Sequence, residues 1–256
     1  MNIIFKCGKD IGAISNTVKA STHKHYMLQM FLSSEDNLEI TIGKETIHCK
    51  CIIVDKNVKH NFTTGDKVHF TMLFDPTSRL AMQVQNHFLN QMEYYIVNEE
   101  IALTLQEELR KLLPLPETKQ FGEFLKCMYL VFHSSEITYG FDERIHRLLT
   151  YLDLCECGEE EHKLKYFANQ LALSESRLAH LFKEETGIPL KSYIVLHALQ
   201  KAYDVVFDGG SITKAAMAAG FDTPAHLAYT NKKMTGMSAS GILKDSEFLK
   251  VSIESL

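Results

Sequence analysis

Three groups of residues in this chain have types and spacings that can do chemistry. His23 and His25 flank Lys24, and His60 follows the turn signal Asp55-Lys56-Asn57. Imidazoles in such a set can hold a metal ion or face a small ligand. Cys49-Lys50-Cys51 and Cys155-Glu156-Cys157 are C-x-C pairs. In a strand, such a pair directs both side chains to one face. Neither has a second pair at ligand spacing, so both are read as free thiols. The third group lies at helical spacing: Ser174, Ser176, Arg177, His180 and Lys183, then Thr223, His226, Tyr229, Thr230 and Lys233. Hydroxyls, imidazoles and cations of this kind can bond base edges and phosphates. There is no P-loop, G-x-S-x-G elbow, H-E-x-x-H or glycine-rich dinucleotide turn. No catalytic residues are expected, and neither enzyme activity nor a cofactor.

The elements that must position the third group occur twice. The first copy runs Phe167-Ala168, Leu171-Ala172-Leu173-Ser174, Leu178, Leu181-Phe182-Lys183 and Thr186-Gly187-Ile188. The second runs Ala215-Ala216, Ala219-Gly220-Phe221-Asp222, Leu227, Lys232-Lys233 and Thr235-Gly236-Met237. Each reads as a helix, a tight turn, a second helix and a glycine stop. That is the helix-turn-helix plan, in which the second helix enters the DNA major groove. Ser174 suits an N-cap, Gly220 a sharp turn, and Asp222-Thr223-Pro224 an N-cap with a proline inside the first turn. Leu190 to Phe207 reads as one long joining helix, ended by Asp208-Gly209-Gly210.

Upstream the pattern differs. Residues 1–76 read as β-structure, with strands at 26–32, 38–42, 45–54 and 68–74 separated by polar turns. Many short strands suggest a barrel or sandwich. From residue 77 to 140 the spacing is helical: Leu80, Val84, His87, Phe88, Gln91 and Tyr95 form one stripe, residues 104–113 another, and Phe121, Phe124, Leu125, Met128 and Phe132 a third. Pro114-Leu115-Pro116 stops the second. Asp142 suits an N-cap ahead of Ile145, Leu148, Leu149 and Leu152. The segment 157–161 reads as an acidic loop, and the tail 246–256 is weakly patterned.

The chain has 256 residues, 45% hydrophobic and 23% charged, with a net charge of -5. This composition suits a globular protein with buried cores. Acidic charge argues against nucleic-acid binding by the whole surface, but not against a local cationic face. No long apolar run or signal-peptide pattern is found, so a cytoplasmic protein without a membrane partner is expected. Six cysteines over this length are not a disulfide framework.

The region from about Phe141 to Leu243 resembles the DNA-binding domain of the AraC/XylS family of bacterial transcription regulators. The residues carrying the likeness are Ala168, Leu173-Ser174, Leu178, Leu181-Phe182-Lys183, Gly187, Tyr193, Ala202, Ala216, Gly220-Phe221, Lys232-Lys233 and Gly236. The resemblance implies an α+β chain: an N-terminal cupin-like β-barrel sensor at 1–76, dimerisation helices at 77–140, and an all-α domain at 141–245 with two helix-turn-helix units. It also implies double-stranded DNA as partner, a small-molecule or protein effector, a homodimer, RNA polymerase contact and a role as activator. His23, His25, Phe31 and His60 are the effector-facing candidates. Metal cupins use an HxH pair and a later histidine, but this chain lacks their supporting glycines, proline and acidic ligand. No metal is therefore expected.

The chain departs from the family at several positions. His180 and Tyr229 stand where arginine is usual, His197 replaces the arginine of the linking helix, and Asn231 replaces phenylalanine. Ala239 and Ile242 replace a proline and a tyrosine. Each lost arginine removes a fixed charge, and the segment is only weakly basic. A degenerate regulator acting by protein–protein contact is thus a second reading, and a cupin metalloprotein a third.

Overall fold

A computed structural model describes residues 2–114, 117–133, 140–155, 163–238 and 246–253. Leu115, Pro116, Cys157, the segment 157–161, Ala239 and Ile242 lie outside the described residues. The chain divides into two compact units, Met1–Ile137 with Asn231–Leu256, and Thr138–Thr230.

The first unit holds eleven strands among the described residues: β1 (Asn2–Cys7), β2 (Asp10–Ser15), β3 (Lys19–His23), β4 (Leu28–Ser33), β5 (Leu38–Ile42), β6 (Glu45–Cys49), β7 (Cys51–Val54), β8 (His60–Thr63), β9 (His69–Phe74), β10 (Tyr94–Ile96) and β11 (Glu247–Lys250). They form a seven-stranded sheet in the order β10-β7-β4-β9-β2-β1-β11 and a four-stranded sheet in the order β3-β8-β5-β6. Alternation along β4 explains the layering. Phe31 joins Leu38, Ile40, Ile42, Ile47, Ile52 and Phe62 in the core shared by both sheets. Its neighbours Met30 and Leu32 enter a second core with helix residues. A strand buried on both faces is apolar throughout, which is how 26–32 reads in the sequence.

Two expectations for this half change. Residues 45–54 are not one strand: β6 belongs to the four-stranded sheet and β7 to the seven-stranded sheet. The chain changes sheets at Lys50, so the two cysteines of the C-x-C pair do not share a face. Cys49 enters the core between the sheets and Cys51 the core under the helices. Burial pushes the Cys49 thiol up to about 11 and Cys51 well above the usual thiol range. The helical stripe through Tyr95 is also cut short. Helix α1 (Arg79–Gln83) widens into a single π-helical stretch, Val84–Leu89, and ends at Asn90 and Gln91, whose φ angles are 43° and 71°. Tyr95 instead sits in β10, paired with Ile53. A local period cannot foresee an edge strand recruited by a sheet. The tail likewise supplies a strand: β11 pairs in parallel with β1.

Helices α2 (Glu99–Lys111) and α3 (Thr118–Phe132) cover the seven-stranded sheet. Asn98 caps α2 by accepting from the Glu100 amide at 2.9 Å. The α3 stripe of Phe121, Phe124, Leu125, Met128 and Phe132 is buried as its spacing requires, each side chain contributing roughly 1.5–3 kcal/mol. Polar ties fix the helices. Gln106 donates to the Asp36 carbonyl at 2.9 Å, and Tyr129 donates to buried Asp10, which also accepts from the Asp75 amide at 2.6 Å.

The second unit carries α4 (Glu143–Leu154), α5 (Leu164–Gln170), α6 (Glu175–Thr186), α7 (Leu190–Phe207), α8 (Ile212–Ala218) and most of α9 (Pro224–Thr235). Asp142 caps α4, accepting from the Arg144 amide at 2.9 Å. Phe167, Ala168, Leu178, Phe182, Tyr193, Ala202, Ala215 and Ala216 form buried framework positions. His197 on α7 is buried and meets the Cys155 sulfur at 3.0 Å through Nε2. A compact imidazole that meets a sulfur fits a buried position where the long side chain and fixed charge of an arginine would not.

Candidate DNA-reading helices and a histidine cluster

The two helix-turn-helix copies are built alike. Each opens with a seven-residue helix, α5 or α8, and closes with a twelve-residue helix, α6 or α9. The turns match: the Leu173 amide donates to Ala168 O and the Phe221 amide to Ala216 O, both at 2.9 Å. Ala172 and Gly220 hold the left-handed positions, with φ of 51° and 74°. Ser174 Oγ accepts from the Arg177 amide at 3.2 Å, and Thr223 Oγ1 from the His226 amide at 3.1 Å. The second turn is one residue longer, so Thr223 rather than Asp222 is the cap. At the far ends Thr186 Oγ1 donates to Phe182 O and Thr235 Oγ1 to Asn231 O, at 2.7 and 2.9 Å. Gly187 and Gly236 follow in the left-handed region, which only glycine enters without strain.

From the caps onward the copies therefore register forty-nine residues apart. On α6, Leu178, Leu181, Phe182 and Thr186 are buried, while Ser174, Ser176, Arg177, His180 and Lys183 are exposed. On α9, Leu227 and Thr230 take the places of Leu178 and Leu181, and Asn231 takes that of Phe182. Thr230 is buried, 7% exposed, which corrects its sequence placement among the outward residues. It lies three residues after Leu227, on the inward stripe. Asn231 is buried too, and its Nδ2 donates to the Met237 carbonyl at 3.0 Å. Thr223, His226, Tyr229 and Lys233 are exposed as expected, and so is Lys232, the register mate of Lys183. The sequence reading passed over Lys232 as a DNA-facing residue, although the doubled pattern carried the signal. His226 also meets Asp222 at 3.2 Å on the exposed face.

The effector candidates gather in the first unit. Strand register pairs His23 directly with His60, and His25 lies two residues beyond His23. The His23–His60, His23–His25 and His25–His60 ring centroids are 4.5, 5.4 and 5.3 Å apart. Phe31 stands beside His60, centroid to centroid 5.9 Å. The sequence reading missed Gln29, two residues before Phe31 on the same side of β4. Its Oε1 lies 3.0 Å from Nε2 of both His25 and His60, and its Nε2 is 2.9 Å from Thr71 Oγ1. Burial draws the His25 imidazole down to about 4 and His60 to about 3, and lowers His23. All three are neutral at physiological pH.

Residues 167–245 match a family model described as a helix-turn-helix domain. The fold as a whole is similar to solved structures of ToxT from Vibrio cholerae. A structure from strain O395 aligns at TM-score 0.55 and 10% identity, over 93% of this chain and 99% of that one. A P21 crystal form aligns at 0.54 and 11%, over 90% and 96%. Wild-type ToxT bound to an unsaturated fatty acid aligns at 0.53 and 12%, over 94% and 93%. No curated protein matches the chain in sequence. The matched region and its doubled geometry define a helix-turn-helix domain, preceded by a two-sheet β-rich unit in an α+β fold. Residues 167–245 thus carry a helix-turn-helix domain, and the chain as a whole shares its fold with ToxT. Among the described residues no helix is long and apolar enough to cross a membrane.

Proposed function

We propose that α6 and α9 are the two recognition helices, and that a small effector bound in the first unit controls their use. The observation that carries the reading is the exposed row Ser176, Arg177, His180 and Lys183 on a capped helix of the matched domain. Arg177 supplies a fixed charge and a bidentate donor for guanine or phosphate, and Lys183 a phosphate contact. On α9, Thr223, His226, Tyr229, Lys232 and Lys233 offer hydroxyl, imidazole and ammonium groups. The output is binding rather than catalysis, in the cytoplasm and with RNA polymerase as a partner.

The effector site is assigned to His23, His25, His60, Gln29 and Phe31. Support comes from the burial of His25, His60, Gln29 and Phe31 beside half-buried His23, and from the fatty acid held by the solved ToxT structure. Exposed Leu103 and Leu130, on α2 and α3, suit a homodimer contact. An effector shifts the protein only if it prefers one of two arrangements. Selection of bound sequences from a random DNA pool tests the reading. A site long enough for two successive major grooves is expected. No enrichment at low salt would overturn it in favour of a protein-binding role.

A further inference from the structure

We propose that Asp222 and His226, at the head of α9, form a proton-dependent base reader. With a neutral imidazole the pair takes an exocyclic amine of adenine or cytosine, and with a protonated one the acceptor edge of guanine. The inference rests on the reading of α9 as a recognition helix, and it names what one position of that helix recognises.

Register puts His226 where the first copy has Arg177. Each is the residue whose amide the cap hydroxyl accepts, from Thr223 and Ser174 respectively. Residues at the start of a recognition helix are the ones that meet base edges in the major groove. The His226 side chain is 50% exposed and that of Asp222 87%, so both can reach a duplex. Buried Phe221 backs the imidazole, with ring centroids 5.3 Å apart at 88°. The turn therefore helps to hold the ring on the outer side.

The two ring nitrogens have different neighbours. Nδ1 lies 3.2 Å from Asp222 Oδ2. A carboxylate only accepts, so it favours the proton on Nδ1 and leaves the lone pair on Nε2. Asp222 is the charged group that faces the ring. One turn further along α9 the titratable neighbour is exposed Tyr229. No other ion pair or side-chain hydrogen bond engages His226 among the described residues, so Nε2 is open to a base. With a neutral ring Nε2 accepts, and the major-groove donors are cytosine N4 and adenine N6. With a protonated ring Nε2 donates, and guanine N7 and O6 become its partners. Imidazole is the side chain that ordinarily changes charge between pH 5 and 8.

The carboxylate adds a second effect of the same sign. An exposed anion at the head of α9 repels DNA phosphates unless a cation offsets it. Arg177 keeps its charge at any working pH, whereas His226 is a cation only with its proton. Protonation thus changes both the hydrogen-bond sense of Nε2 and the charge that α9 brings to DNA. The first copy has no counterpart to Asp222, because its turn runs from Leu173 straight to the cap Ser174.

The test selects sites for the full chain from a random double-stranded DNA pool at about pH 5.5 and about pH 8, at equal salt. Enriched sites are expected at both, differing at one base pair in the half read by α9. That base is guanine at the lower pH and adenine or cytosine at the higher. Mobility shifts on sites carrying each base should show the preference changing by about tenfold between the two conditions. His226→Gln does not titrate and should select one base at both pH values. Asp222→Asn should weaken the preference at the higher pH, because nothing then favours the proton on Nδ1. His180→Gln, on α6, should alter its own half-site and leave the switch in place. Identical wild-type sites at both pH values overturn the proposal, and that comparison needs no variant. A switch that survives in His226→Gln also overturns it, as does a gain in affinity at low pH with no change of base, which puts the imidazolium on a phosphate. Enrichment without a switch leaves the recognition-helix reading standing, whereas no enrichment at either pH removes that reading and the proposal with it.

Discussion

The two helix-turn-helix copies share a backbone plan and differ in what fills it. Caps, turns, helix lengths and glycine ends coincide. On the inner face the first copy packs Leu181 and Phe182 where the second packs Thr230 and Asn231. On the outer face the first shows Arg177 and His180 where the second shows His226 and Tyr229. The comparison teaches that the frame is set by a few backbone-directing residues. Packing groups and outward polar groups are set separately, on opposite faces, and the first copy has the more apolar inner face and the fixed guanidinium charge on its outer one.

The largest test addresses the inner faces. Phe182→Ala should cost about 3–5 kcal/mol, a large aromatic lost from a packed site. Asn231→Ala should cost about 1 kcal/mol, one hydrogen bond to Met237. Urea unfolding of both variants checks this, and equal losses would break the contrast. Next comes the outer face. Arg177→Ala should weaken specific DNA binding by about 1–3 kcal/mol, and His226→Ala by less, since imidazole carries no fixed charge. Quantitative mobility shifts at several salt concentrations measure it. A greater loss for His226→Ala would make α9 the main reader.

The turns should respond in opposite senses. Gly220→Ala places a Cβ at φ of 74° and should destabilise by roughly 1 kcal/mol. Ala172→Gly releases a φ of 51° and should be neutral or gain a few tenths of a kcal/mol. Thermal melts of the two single variants read the signs. The smallest difference is expected at the caps. Ser174→Ala and Thr223→Ala should each cost about 1 kcal/mol, and nearly the same amount, because each hydroxyl accepts one amide at the third helical position. A clear inequality between them would show that the shared frame is less symmetric than its hydrogen bonds.

Much of the second unit was legible in the sequence because its signals are local. Serine and threonine caps, glycine ends and apolar residues at three- and four-residue spacing act within one or two turns of helix. The α3 stripe was readable for the same reason. Thr230 was misjudged because its polarity suggested an outward place, whereas its register with Leu181 puts it inside. Tyr95 was misread because β7 offers a free edge to the stretch after Gln91.

The sequence by itself determined the doubled helix-turn-helix, its caps and stops, and the cationic row on α6. Only the tertiary structure decided that β11 joins β1, that Cys49 and Cys51 enter different cores, and that His23 stands opposite His60 with Gln29 bridging to His25. Helical patterns repeat within a few residues, and the chain carries them wherever it goes. Sheet register and side-chain convergence depend on segments distant in sequence. They exist only once the strands have paired.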